Sequence, residues 1–193
     1  NFCVAVGDLA MAGALTSTAS GSVALGKTAL YSLTTGAGNT AVGYQAGAAL
    51  VEGNYNTVLG YQAFDAGQED TGCTAIGYQA LTAADVSDTG SAVDTMNTAV
   101  GYGAGNAITD GKENTLIGAK AGGHAVALST GDYNTVVGMA ADVSIVDAQN
   151  QQVFGYDTTG VANNSVTLGN SNVTAVYMAS DGGAIMFGSA INI

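Results

Sequence analysis

A large apolar residue followed at once by glycine recurs along this chain at a nearly fixed interval. The pairs are Val6–Gly7, Leu25–Gly26, Val42–Gly43, Leu59–Gly60, Ile76–Gly77, Val100–Gly101, Ile117–Gly118, Val137–Gly138, Phe154–Gly155 and Leu168–Gly169. Successive glycines stand 19, 17, 17, 17, 24, 17, 20, 17 and 14 residues apart. A 17-residue unit dominates, with three insertions and one contraction at the end. The stretch "NTAVGYQAG" from Asn39 is its clearest copy, repeated as "NTVLGYQAF" from Asn56, "CTAIGYQAL" from Cys73 and "NTAVGYGAG" from Asn97. A repeat this short and this regular is the signature of a solenoid, one coil per unit.

The columns of the repeat predict its elements. One residue before the large apolar position stands a smaller one: Ala5, Ala24, Ala41, Val58, Ala75, Ala99, Leu116, Val136 and Val153, with Thr167 the exception. Neighbours in a strand point to opposite faces, so both faces of this strand are apolar and both call for burial. Size suggests that Val42, Leu59, Ile76, Val100, Ile117 and Val137 form the core inside the coil. The alanine column then faces away and lets a second subunit approach closely. On this reading copies pack around a shared axis along the alanines. Three is the natural number for a fibre, although the pattern does not fix it.

A second segment follows the glycine, with Ala10, Ala29, Ala46, Ala63, Ala80, Ala104, Ala121 and Ala141 three residues on. It is short, must stack with its copies, and reads as a second strand, with a helical turn as the alternative. Polar stretches such as "TTGAG", "VEGNY", "TDGKE" and "STGDY" separate the units. Gly, Asn, Asp and Thr are turn residues, because they accept positive φ or bond their own backbone. The expected fold is all-β, a parallel β-roll or β-helix of ~17-residue coils. Residues 1–155 form about nine coils, and residues 156–193 a terminal coil with a neck-like extension.

Composition narrows the function. Only 9% of the 193 residues are charged, 15 acidic against three basic, for a net charge of −12. Nucleic acid is not expected as a partner, since binding it needs clustered Lys and Arg. Anionic membrane surfaces are disfavoured for the same reason, and no apolar run approaches the ~18 residues of a membrane helix, so no membrane insertion is expected. The acids, among them Asp65, Glu69, Asp70, Asp85, Asp88 and Asp94, fall in turns and insertions. The missing initiator Met and signal pattern read as a fragment or processed chain.

Two stretches resemble known families. "SVALGKTAL" from Ser22 resembles the head repeat of trimeric autotransporter adhesins. "NTAVGYQAG" and its relatives resemble the Gly-Tyr-Gln-Ala repeats of bacteriophage tail fibres. The ending "NNSVTLGNSNVTAVYM" is similar to the stretch before the self-cleaving chaperone domain of such fibres. The resemblance implies a left-handed parallel solenoid, a homotrimer, and an extracellular role on a virion. There the fibre would meet a host-cell surface glycan or protein receptor. A bacterial surface adhesin head is the alternative. The 17-residue period is longer than the adhesin head's usual 14.

Candidate chemistry is sparse. His124 is the only histidine and has no partner for a catalytic triad; it reads as an insertion-loop residue. A glycan-active enzyme would need paired carboxylates facing one groove, whereas these acids are scattered, so no catalytic residue, cofactor or specific metal site is assigned. Cys3 and Cys73 lie four coils apart, roughly 19 Å at ~4.8 Å per coil, too far for a disulfide. Asn39, Asn56, Asn97, Asn114 and Asn134 read as a stacked ladder. Thr40, Thr57, Thr74, Thr98, Thr115 and Thr135 form the adjacent column, whose ice-binding reading is disfavoured if the strand is buried. Tyr44, Tyr61, Tyr78 and Tyr102, beside Gln45, Gln62 and Gln79, read first as structural stacking and second as a glycan-contact column.

Overall fold

The computed structural model describes residues 2–16, 18–84 and 93–176. Asp85, Asp88 and the end of the neck-like extension lie outside them. Among the described residues there is no helix, and the chain winds as a parallel β-solenoid. Ten short strands form one sheet: β1 (Val4–Val6), β2 (Val23–Leu25), β3 (Thr40–Val42), β4 (Thr57–Leu59), β6 (Thr74–Ile76), β8 (Thr98–Val100), β9 (Thr115–Ile117), β10 (Thr135–Val137), β11 (Gln151–Phe154) and β12 (Ser165–Leu168). Strands β5 (Asp70–Thr71) and β7 (Val93–Asp94) pair separately, flanking the seven-residue insertion. Every pairing in the large sheet is parallel and in repeat register, so Val42 lies beside Leu59, Leu59 beside Ile76, and Ile76 beside Val100. The contracted last coil keeps that register, with Phe154 beside Leu168.

The glycine column sets the corner after each strand. Gly60 has φ +147°, and a Cβ there would strike the carbonyl oxygen of Gly77 one coil on. Both the backbone angle and the closeness of the next coil exclude a side chain. The segment beyond is a run of turns and not a strand, contrary to expectation. Residues two past the glycine take positive φ in coil after coil, at Gln45, Gln62, Gln79 and Lys120, and so do Leu30, Phe64 and Leu81 four past it. Amide hydrogens there alternate: Gln45 N–H donates to Lys27 O in the preceding coil (3.0 Å), while Ala46 N–H closes its own turn on Gly43 O (3.4 Å). A left-handed residue at every second position curls the backbone too tightly for a strand.

The two strand faces are the reverse of the expected assignment. Ala41, Ala75, Ala99, Leu116, Val136 and Val153 are fully buried inside the coil. The pre-glycine column lies in line, as expected, but points outward: Leu59 is 47% exposed and Ile117 41%, with Val42, Ile76, Val100 and Val137 half-buried. The alanines are therefore not available to a second subunit. The coil is too narrow at the strand for larger residues in every layer. Bulk comes instead from the turn segments, where Leu30, Leu33, Leu50, Phe64, Leu81, Ile108 and Leu128 are fully buried.

Alternation puts the asparagine column on the inward side with the alanines, two residues earlier. Asn114 donates from its backbone N–H and from Nδ2 to Asn97 Oδ1 (3.0 and 3.1 Å), and from Nδ2 to Gly131 O (2.8 Å). Its own Oδ1 accepts the same pair from Asn134 (3.0 and 3.0 Å). Asn39 and Asn56 repeat the pattern. Each buried amide is thereby satisfied at both ends, which a buried polar column requires. The ladder expected from sequence is thus present.

Candidate functional site

The outward strand face is a surface repeated in every coil. Down its ten strands run two rows: Val4, Val23, Thr40, Thr57, Thr74, Thr98, Thr115, Thr135, Gln152 and Val166 beside the pre-glycine column. The threonines are exposed or half-buried, so the strand is not closed over them. No position in either row is charged. At ~4.8 Å per strand the face is roughly 43 Å long. With a width of about 10 Å it covers on the order of 430 Å², about half of it the apolar pre-glycine row.

The tyrosine column stacks. Ring centroids are 4.9 Å apart for Tyr44 and Tyr61, 5.5 Å for Tyr61 and Tyr78, and 5.0 Å for Tyr78 and Tyr102, with planes within 16° of parallel. Beside it Gln62 Nε2 donates to Gln45 Oε1 (2.9 Å) and Gln79 Nε2 to Gln62 Oε1 (3.3 Å). Stacking covers both faces of Tyr61 and Tyr78, leaving a ligand mainly their edges. The ladder ends at Tyr102, because the next rungs are Ala119 and Met139. A cavity of about 270 Å³ opens there, lined by Tyr102, Ala119, Lys120, His124, Met139 and Ala140.

His124 stands in the three-residue insertion between Gly118 and Gly138. Its loop is held by Asp142, a carboxylate only 1% exposed that accepts N–H bonds from His124 (3.0 Å), Ala125 (2.6 Å) and Val126 (3.2 Å). His124 Nδ1 is 4.0 Å from Asp142 Oδ2. Sequence reasoning passed over Asp142. Its one signal is a lone acid next to the buried Ala141, where the repeat carries an apolar residue or glycine.

Both cysteines are free thiols, as expected. Cys73 replaces asparagine in the inward ladder, with its Sγ 3.0 Å from Thr95 Oγ. Burial is the main reason its thiol is pushed up to about 11, against a smaller opposing effect of the Thr95 bond. A thiol held protonated is a poor nucleophile. Among the described residues no three His, Cys, Asp or Glu side chains gather as a metal site, and no helix is long and apolar enough to cross a membrane. Comparisons of the chain with protein-family models, with curated proteins and with solved structures return no match.

Proposed function

We propose that this chain is a rigid segment of a trimeric attachment fibre, of the kind viral tail fibres use to meet a host cell. Three left-handed solenoids stand side by side, each turning its outward strand face to a common axis. The observation that carries the reading is that face: uncharged, with an apolar row beside a row mostly of threonine, over ten stacked strands. One chain alone leaves it in water, whereas three chains bury it in a continuous apolar seam. Axis and alanines part company here, because it is the pre-glycine and threonine rows that meet. Stacked coils then hold the outer turns at fixed intervals, and three copies supply multivalent contact with a receptor. A bacterial adhesin head would use the same assembly on a different anchor. The mass in solution tests the proposal: a value near three times 18.9 kDa is expected, and a single-chain mass removes it.

One observation favours a second reading. The threonine row lies outward on a regular sheet, beside a row of aliphatic side chains. A flat array of methyl and hydroxyl groups at strand spacing is what binding to an ice surface requires. A trimer would hide that array and a monomer would expose it. A single-chain mass together with thermal hysteresis in a freezing assay would establish this reading and displace the fibre.

A further inference from the structure

We infer that the cavity at the end of the tyrosine ladder binds a carboxylated pyranose, a hexuronate-type sugar. The inference rests on the attachment reading and gives it a ligand. It starts from two departures from the repeat that coincide at one place. The tyrosine column breaks at Ala119, which uncovers the face of Tyr102 turned away from Tyr78. The three-residue insertion in the same coil places His124 beside that gap. Tyr102 is accordingly the most exposed ring of the ladder, at 55% against 39% to 47% for the other three.

The lining matches the two sides of a sugar ring. The C–H bonds on one face of a pyranose are weakly positive and lie well against the negative π-face of an aromatic ring. Tyr102 supplies that face, and Ala119, Ala140 and Met139 complete an apolar wall. A volume of about 270 Å³ is at the small end of ligand pockets, which run from ~300 Å³, and suits one ring. Lys120 and His124 stand on the polar side.

Charge selects the acid. Lys120 is one of three basic residues in the chain. Lys27 is paired with Asp8 at 3.6 Å, whereas Lys120 makes no ion pair among the described residues. Asp142, 4.0 Å from His124 Nδ1, is buried and accepts three backbone N–H bonds, which offset part of its charge. The net negative charge of the chain acts at longer range and is screened within about 8 Å at physiological salt. The local ammonium therefore decides, and a carboxylate on the ring gives it a partner.

The test is saturation-transfer NMR and calorimetric titration of the full chain with methyl β-glucuronide, with methyl β-glucoside as the neutral control. The glucuronide is expected to bind, and the glucoside about tenfold more weakly. Ala119→Tyr restores the missing rung and fills the cavity, so it is expected to abolish binding. Lys120→Ala is expected to bring the glucuronide down to the level of the glucoside. Tyr44→Ala, at the other end of the ladder, leaves both unchanged. Absence of saturation transfer at millimolar glucuronide overturns the inference. So does equal binding of the two sugars, or full binding by a folded Ala119→Tyr chain. If that variant does not fold, Lys120→Ala carries the decision. A threefold mass without glucuronide binding removes the pocket and leaves the fibre. A single-chain mass with binding removes the fibre and leaves the pocket.

Discussion

The two faces of one three-residue strand carry apolar side chains for different reasons. The inward face is sized by the coil itself: Ala41, Ala75 and Ala99 fit because turn-derived Leu30, Leu50 and Leu81 already fill the interior. Beside them an asparagine such as Asn114 bonds the coil before and the coil after. The outward face has no such constraint. Its residues vary from Val to Leu, Ile and Phe, and they stay half-buried or exposed among the described residues. Side-chain size is thus a poor guide to the interior here. The small, closely fitted residues are inside, and the large ones are on the outward face.

The strongest way to break this contrast is to strike the inward ladder. Asn114→Leu removes two donors and an acceptor: it strands Gly131 O and the two donors of Asn134, and leaves Asn97 Oδ1 with the backbone N–H of residue 114 alone. Each unsatisfied buried group costs about 1–3 kcal/mol, so a loss of roughly 4 kcal/mol or more is expected in urea unfolding. Next comes the corner. Gly60→Ala forces a side chain onto φ +147° and into the next coil's carbonyl, at about 2–4 kcal/mol. A neutral result for either would mean that the coils are not tied as tightly as this packing requires.

Cys73 sharpens the contrast through pH. Its thiol is raised from an ordinary 9.0 to about 11 in the folded chain, chiefly by burial. A group that binds its proton more tightly when folded contributes stability that is complete below pH 9. That contribution is lost as the pH climbs through about 11. The loss is roughly 2–3 kcal/mol. Cys73→Ser, which copies Ser22 in the same ladder slot, is expected to remove this alkaline slope. Denaturant midpoints of the two chains between pH 8 and 11 provide the measurement.

Tyr61→Leu probes the outer stack. It breaks two aromatic contacts worth about 0.5–1.5 kcal/mol each, so a loss near 1–2 kcal/mol is expected in thermal unfolding. A larger loss would mean that the ring also supports the turn beneath it.

Much of this architecture was legible because single residue types enforce it. Only glycine satisfies both the positive φ and the close approach at positions such as Gly60, so the period could be counted directly. The asparagine ladder was legible for a similar reason, since a regular amide column bonds its own copies. Which face was inside was not legible from size, because both columns are apolar. Alternation held the answer: Asn39 and Ala41 are two residues apart and share a side, so a buried amide ladder carries the alanines inward with it. The turn segment was misread as a strand because nothing in the propensity of Gln45 or Leu30 announces a left-handed backbone. Gly47 and Gly105, which stand in the same column as Leu30 and Phe64, were the available hint. The cavity needed the fold, since only stacking brings the loop of His124 to the open face of Tyr102.

The smallest effect on the coil is expected from a change that would ruin an ordinary core. Leu59→Asp puts a charge on the outward face, where the side chain is 47% exposed in the single chain and meets other coils only through its in-register neighbours Val42 and Ile76. Within one chain the cost is about 1 kcal/mol, from lost strand propensity and lost contact with Val42 and Ile76. In a trimer the same carboxylate enters an apolar seam in three copies and prevents assembly. The expected outcome is a folded chain, with an unchanged far-ultraviolet circular dichroism spectrum and a mass of one copy in place of three. Val58→Asp, one residue away, places its charge inside the coil at a site only 1% exposed and is expected to unfold the layer outright, because a buried unpaired carboxylate costs several kcal/mol. If Leu59→Asp unfolds the chain as Val58→Asp does, the two faces are not different in kind. If the unaltered chain has a threefold mass and Leu59→Asp leaves it unchanged, the seam lies elsewhere.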